Sequence, residues 1–387
     1  MTKEFEEYLN INGSIIKDAT VFEIGYPPEE ITKRKETGSL FKEISIFANY
    51  KTPHHILLTG LHGSGKTVTV KHIIKKDILT QIGLLTSYIN CRDKTPIQIL
   101  ADLFESLNLN KQVKGNSVPE LIKNFLREIN KPLLLVFDEV DRGRGIEEIL
   151  YGFSRPTEID SVQHFPISLI LISNDISWEE YLDSATRSSL QLTRIPFNPY
   201  NKSQLHEILA NRVKQGLYNP ECLPNELLDK ISKITVEEKN SDCRFALKAL
   251  LHAAREADYR KSEKIENSDI EVGYKKATRD IERERITQLQ DTQLLILFAC
   301  CFNKGKSFSQ MKDMYVGYAE QLGLKPLSQS NTHYWFRYLT HQGLIRIETV
   351  NTKVQDVPRR ELVIKPLIED SVVEEEINKR MLKLDKR

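Results

Sequence analysis

The strongest chemical signal in the chain is the octet Gly60-Leu61-His62-Gly63-Ser64-Gly65-Lys66-Thr67, preceded by the apolar run Ile56-Leu57-Leu58 and followed by Val68-Thr69-Val70. A glycine-rich turn between a buried strand and a helix start lets backbone N–H groups converge on phosphate oxygens, with the positive end of the helix dipole behind them. Gly60, Gly63 and Gly65 let the loop curl, Lys66 can reach β- and γ-phosphates, and Thr67 can offer its hydroxyl to Mg²⁺. His62, Ser64 and Val68 complete the stretch expected to contact the nucleotide. A second cluster, Asp138-Glu139-Val140-Asp141, follows the apolar run Leu133–Phe137. Asp138 can hold Mg²⁺ through water and Glu139 is placed to polarise an attacking water, so the metal candidates are Thr67 and Asp138. Loop and carboxylates together form a nucleoside-triphosphatase signature.

Three further positions carry charge or polarity where it can matter. Asn174 ends the buried run Ile167–Ile172, where it could orient water or touch a γ-phosphate, or simply close a strand. Arg244 lies in the first turn of a helix beginning at Asp242, an unfavourable place for a cation. It implies either a nearby anion or pairing with Asp242 or a neighbouring acid. Arg187, in Leu182–Leu190, is either a charge offered to a neighbouring subunit's nucleotide or a solvated surface arginine.

These residues need a scaffold. Buried apolar runs at 56–58, 84–90, 133–137 and 167–172 alternate with helical patterns, which predicts a doubly wound parallel α/β layer reaching about Phe197. Tyr26-Pro27-Pro28 is expected to start a helix running from Glu29 to about Ala48. After Pro199 only helical spacing remains, and then come three helices and two strand-like stretches, Leu344–Val350 and Arg360–Lys365, the pattern of a winged helix. The division expected is a mobile lead-in over 1–15, a nucleotide-binding base over 16–198, a helical lid over 199–280 and a winged helix over 281–387. In the last unit Trp335, Phe336 and Leu339 face inward, leaving Gln329, Ser330, His333, Tyr334 and Arg337 outward, as a base-reading or phosphate-contacting helix needs. Lys353, Arg359 and Arg360 add charge at the wing, and Lys111 with Lys114 offer a second DNA contact. The same shape also serves protein docking.

Composition is permissive. The 387 residues exceed one core, and 40% hydrophobic with 28% charged residues is ordinary for a soluble protein. Lys and Arg number 55 against 54 Asp and Glu, so a nucleic-acid surface must come from local clustering. Five cysteines without a Cys-x-x-Cys pair argue against structural zinc and against a secreted disulfide frame. With neither a signal peptide nor a membrane-length apolar run, a cytoplasmic, nucleoid-associated protein that makes no membrane contact is expected.

The order of motifs resembles the archaeal origin-recognition initiators, AAA+ ATPases related to subunit one of the eukaryotic origin-recognition complex and to the cell-division-cycle helicase loader. The carriers are Tyr26-Pro27-Pro28 with Arg34, Tyr88-Ile89-Asn90-Cys91-Arg92, Asp138-Glu139-Val140-Asp141, Leu150-Tyr151 with Arg155, Ile172-Ser173-Asn174-Asp175, Ser188-Ser189-Leu190, Phe197-Asn198-Pro199-Tyr200 and Asp242-Cys243-Arg244. The resemblance implies a AAA+ base, a lid and a winged helix, with ATP or ADP and Mg²⁺ as cofactors. It implies that Tyr26 and Pro27 border the nucleotide, that Asn174 and Arg244 are the two sensors, and that 95–120 carries a helical insertion. It further implies double-stranded origin DNA, another initiator protomer or paralogue, and the replicative helicase as partners. Asp183-Ser184-Ala185 stands where relatives carry Asp-Pro-Arg, Arg142-Gly143-Arg144-Gly145 is unusually rich in glycine and arginine, and the wing lacks a glycine-rich tip. Two other readings use the same motifs: a hydrolysis-poor adaptor working through contacts with another initiator, and a AAA+ helicase loader or transposition regulator.

Overall fold

Strands Ile56–Thr59 (β1), Leu85–Asn90 (β2), Leu133–Asp138 (β3), Ile167–Ser173 (β4) and Thr193–Pro196 (β5) make one parallel sheet in the order β2-β3-β4-β1-β5. The structure is a computed structural model, and it describes residues 15–75, 78–109, 115–160, 164–304, 306–354 and 357–384. Successive side chains on a strand point to opposite faces, so a strand covered on both sides must be apolar throughout. In β3, Leu133, Leu135 and Phe137 enter one core while Leu134 and Val136 enter the other. Helices Lys35–Tyr50 (α1) and Lys66–Lys75 (α2) cover the second face through Leu40, Ile44, Phe47, Val70 and Ile73. Helices Pro96–Ser106 (α3), Val118–Glu128 (α4), Ile146–Ser154 (α5) and Ser184–Leu190 (α6) supply the first. Register brings Asn90 level with Asp138, Asp138 with Ile172, and Thr59 with Ser173. The carboxyl ends that carry the polar motifs therefore form one rim, where α/β sheets bind ligands.

Three helices follow: Lys202–Gly216 (α7), capped by an Asn201/Gln204 box, Asn225–Glu238 (α8) and Cys243–Tyr259 (α9). Their core also takes in Ile15, Val21 and Phe22, and the backbone N–H of Ile15 donates to buried Asp258 Oδ1 at 2.9 Å. The chain is thus already packed at residue 15, the last position of the expected lead-in; residues 1–14 lie outside the described residues.

The chain clusters into two compact units, Met1–Ile270 and Glu271–Arg387. The second holds most of helix Asn267–Thr287 (α10), then Asp291–Phe302 (α11), Phe308–Gln321 (α12), Gln329–His341 (α13), the antiparallel ribbon Ile345–Val354 (β6) and Val357–Pro366 (β7), and Asp370–Leu384 (α14). It is a winged helix with a helical extension at each end.

Several elements differ from the sequence expectation, among them the C-terminal helix Asp370–Leu384. The first helix starts at Lys35, because Arg34 is extended (φ −149°, ψ 161°) and its side chain is committed to the phosphate loop described below. A fifth strand, Thr193–Pro196, carries little sequence signal because only Ile195 of its four residues is buried, as befits a sheet edge. The charged segment 274–290 is largely helix: Ala277, Ile281 and Ile286 bury one face while Arg279 and Arg283 pair with Glu375 of α14. The wing strands run on to Val354 and Val357, further than their apolar parts, because the ladder of backbone pairs continues through polar residues.

Candidate functional site

At the end of β1 the chain turns through the glycine loop into α2, whose first residue, Lys66, is 4% exposed. Its ammonium donates to Gly60 O at 2.8 Å, Leu61 O at 3.0 Å and Asn174 Oδ1 at 3.0 Å. Burial lowers its pKa from 10.5 to about 8, with Asp138 and Asp141 acting against the shift and Arg244 reinforcing it. Thr67 Oγ1 donates to Asp138 Oδ2 at 2.8 Å, and Tyr88 Oη donates to the same oxygen at 2.5 Å. The other oxygen, Asp138 Oδ1, accepts the Glu139 backbone N–H at 2.8 Å. Loop, lysine, hydroxyl and carboxylate thus meet on the rim, and His62 and Val68 flank them partly exposed.

Glu139 sits in the left-handed region (φ 55°, ψ 45°), a conformation that costs a non-glycine residue about 1–3 kcal/mol. Its carboxylate faces Arg92 Nη1 at 3.4 Å and Asn90 Nδ2 at 3.5 Å. Burial raises its pKa, Arg92 opposes that, and Asp138 adds to it. Neither Asn90 nor Arg92 drew attention in the sequence as a partner for Glu139. The only available signal was their place at the end of the strand next to β3. Asp141 Oδ1 accepts the Asn174 backbone N–H at 3.0 Å, and so fixes the residue that holds Lys66.

The lid reaches the same loop. Asp242 caps α9, accepting from Arg244 N at 3.0 Å, and both its oxygens take the Arg244 fork, from Nε at 3.0 Å and Nη2 at 2.8 Å. Arg244 thus makes the pairing with Asp242 that is one of the two arrangements expected of it. A Cβ at Gly63 (φ +73°) would lie 2.0 Å from Asp242 Oδ1, and one at Gly65 (φ +90°) 2.0 Å from Tyr200 Oη. Glycine is therefore required at both by backbone angle and by contact with neighbouring elements.

Arg34 clasps the loop from outside. Nη1 donates to Ser64 O at 2.7 Å and Nη2 to Asn198 O at 2.6 Å, Glu36 closes the fork at 3.0 Å, and the guanidinium lies over Phe197 and Tyr200. Burial works to raise the Glu36 pKa, but hydrogen bonds from Arg34, its own backbone and Asn198 prevail and hold it down at about 2. Arg34→Ala is expected to destabilise the first unit by roughly 2–3 kcal/mol, because a largely buried carboxylate and a loop carbonyl lose their donor. Urea unfolding of the full chain measures this, and a change under about 0.5 kcal/mol contradicts the clasp.

Tyr26 is half-buried against the lid and Pro27 is exposed. Pro28 O accepts from His72 Nδ1 on α2 at 3.3 Å, so this stretch bridges lid and phosphate-loop helix. Arg187 is exposed, but its Nη2 donates to Glu180 O at 3.0 Å and Leu182 O at 2.8 Å. On α13, His333, Tyr334 and Arg337 are exposed, Phe336 and Leu339 are buried, and Trp335 is only half-buried. His333 also stacks on Phe308 with centroids 4.4 Å apart. Gln329 and Ser330 lie in α13, Lys353 in β6, and Arg359 and Arg360 in β7, with side chains outside the described residues; Lys111 and Lys114 lie outside them altogether.

The residues present suit Mg²⁺. Thr67 and Asp138 offer oxygen alone, and among the described residues no group of three His, Cys, Asp or Glu could hold a metal by itself. A cation held by one or two protein oxygens plus phosphates is the usual Mg²⁺ arrangement. No helix of the described residues is long and apolar enough to cross a membrane.

Comparison with known proteins agrees with this geometry. Residues 49–182 match the family model of a AAA domain, and residues 206–275 match that of a Cdc6 AAA+ ATPase-type lid domain. The chain is 29% identical over 372 residues to ORC1-type DNA replication protein 1 of Sulfurisphaera tokodaii, covering 91% of each. It is 26% identical over 412 residues to the ORC1-type DNA replication protein of Pyrococcus furiosus, covering 96% of each. Among solved structures it is similar to the Aeropyrum pernix ORC1 protein in complex with DNA, with a TM-score of 0.73 at 22% identity, over 95% of this chain and 98% of that one. That last likeness speaks for the fold, and the sequence matches speak for descent. Residues 49–182 are thus a AAA domain and residues 206–275 a Cdc6-type AAA+ ATPase lid, and over about nine-tenths of its length the chain is similar to ORC1-type DNA replication proteins.

Proposed function

We propose that the chain is a DNA replication initiator that binds duplex origin DNA and uses ATP against ADP as a conformational switch. The observation that carries this reading is the meeting of base and lid at the phosphate loop, where Asp242 packs on Gly63 and holds Arg244 beside Lys66. Bound ATP supplies a γ-phosphate whose presence or loss distinguishes two states of that junction. Lys66 and the loop N–H groups bind phosphate, Thr67 and Asp138 hold Mg²⁺, and Asn174 and Arg244 register the terminal phosphate. Glu139 activates water once Arg92 and Asn90 yield its carboxylate, so turnover is slow. The names of the curated relatives and the DNA-bound ORC1 structure support a role on DNA. Recruitment of the replicative helicase and pairing with another initiator protomer belong to the same proposal.

On DNA, exposed Arg337 of α13 contacts phosphate, with the basic wing residues Lys353, Arg359 and Arg360 beside the same duplex and Lys111 and Lys114 at a second contact. Arg337→Ala is expected to weaken binding to an origin duplex and to reduce the slope of log K against log salt by about 0.9. Fluorescence anisotropy over a salt series measures both, and an unchanged slope sinks the assignment.

One observation favours a second reading, that of an adaptor poor in hydrolysis. Arg187 is tied to carbonyls of its own subunit, and no arginine stands in Asp183-Ser184-Ala185. If hydrolysis stays absent alone and with DNA but appears with a second initiator, the adaptor reading prevails.

A further inference from the structure

Arg212, on α7 of the lid, is 7% exposed, and among the described residues it has no ion pair. Its Nη2 donates weakly to Tyr26 O at 3.5 Å and its guanidinium lies 4.8 Å from the centre of the Tyr26 ring, but buried Nη1 has no hydrogen-bond partner. Arginine is rarely buried unless paired, and an uncompensated buried charge is strongly destabilising. Burial accordingly lowers its pKa, and no carboxylate is among the groups that oppose the shift. Such a group persists where something outside the chain completes it.

Its surroundings say what that is. Cys243 lies near both Arg212 and Tyr200, and the Tyr200 hydroxyl lies against Gly65 of the phosphate loop. Tyr26 leads to Pro28, which His72 of α2 holds. Arg212 therefore belongs to a chain of neighbours that leaves the phosphate loop on the lid side and returns to the helix behind it. The charges acting most on Lys66 are Asp138, Asp141, Arg244 and Glu139, and Arg212 is not one of them. A donor beside an aromatic ring, next to the loop but away from its phosphate end, suits the nucleoside part of a nucleotide.

We propose that Arg212 reads the purine: Nη1 donates to a ring nitrogen of the adenine while Nη2 keeps the Tyr26 carbonyl, making Arg212 a specificity residue of the nucleotide site. This rests on the ATP-binding reading of the glycine loop, and the test separates the two. Calorimetry on the full-length protein compares ATP with tripolyphosphate, which lacks the nucleoside, for wild type, Arg212→Met and Arg212→Lys. Arg212→Met is expected to lower ATP affinity about tenfold or more and leave tripolyphosphate within about twofold, while Arg212→Lys recovers part of the loss. Its nucleotide-free unfolding midpoint is expected to equal or exceed that of wild type, because an unpaired buried charge is gone, whereas a residue that merely braces Tyr26 would lower it. Wild type should also lose affinity for one of 1-deaza-, 3-deaza- or 7-deaza-ATP, and Arg212→Met should not lose it again. Equal loss for ATP and tripolyphosphate, no loss for ATP, or a penalty that appears with 2′-deoxy-ATP and with no deaza analogue overturns the assignment. If Lys66→Ala binds ATP as wild type does, the underlying reading has failed instead.

Discussion

Lys66→Ala is expected to lower ATP affinity by roughly 100-fold or more, a loss of about 3 kcal/mol, without unfolding the protein. The ammonium is buried and spans the loop carbonyls of Gly60 and Leu61 and the amide of Asn174, so no other cation in the loop can take its place. Two effects on stability oppose each other. Removing the lysine leaves Gly60 O without that donor, at a cost of about 1–3 kcal/mol, but it also relieves a buried charge. With the folded pKa near 8 against 10.5 unfolded, the folded state binds fewer protons between those values. The penalty on stability is therefore full below pH 8 and fades as pH rises towards 10.5. The same shift gives nucleotide binding a pH signature. As pH rises through 8 the nucleotide-free site loses its ammonium, and ATP affinity in the wild type falls, by at most about tenfold per pH unit. Titration calorimetry between pH 7 and 9.5 on wild type and Lys66→Ala tests both statements. Equal ATP affinity in the variant, or a wild-type affinity flat across that range, contradicts the role given to Lys66.

Glu139→Gln is expected to keep ATP binding within a few-fold and to slow hydrolysis by about 10²–10⁴-fold, the range of a lost general base. The amide keeps the shape of the side chain, and so preserves the left-handed turn at 139, but it can neither accept a proton nor pair with Arg92. In the structure the carboxylate faces Arg92 and Asn90, which compete with an attacking water for its oxygens. A second variant separates restraint from chemistry: Arg92→Ala should raise basal turnover several-fold if that pairing limits the rate. Single-turnover phosphate release with each protein measures the step directly. Full turnover by Glu139→Gln would place the base elsewhere.

Most of the base was legible in the sequence because its signals are local. A strand buried on two faces must be apolar at every position, so Leu133–Phe137 announced itself, and the glycine loop needs its residues in one order. Edge strand Thr193–Pro196 has one face and one neighbour to satisfy, and its composition says little. The helix start at Lys35 is hidden from the sequence for a related reason: Arg34 answers to Ser64 and Asn198, 30 and 164 residues away. Helix Asn267–Thr287 hid behind its charges, whose partner Glu375 lies about 90 residues on.

The site divides along the same line. Sequence alone pointed to Gly60–Thr67, Asp138 and Glu139, because the role proposed for each depends on residue type and on spacing within a single strand-to-loop junction. Tertiary structure decided what those residues answer to. It set Asp242 against Gly63, gave Arg244 to Asp242, placed Asn90 and Arg92 on Glu139, and buried Arg212 beside Tyr26. The physical reason is range. Backbone curvature and helix dipoles act within a few residues of their source, whereas burial and charge pairing depend on which distant segments the fold brings within about 4 Å.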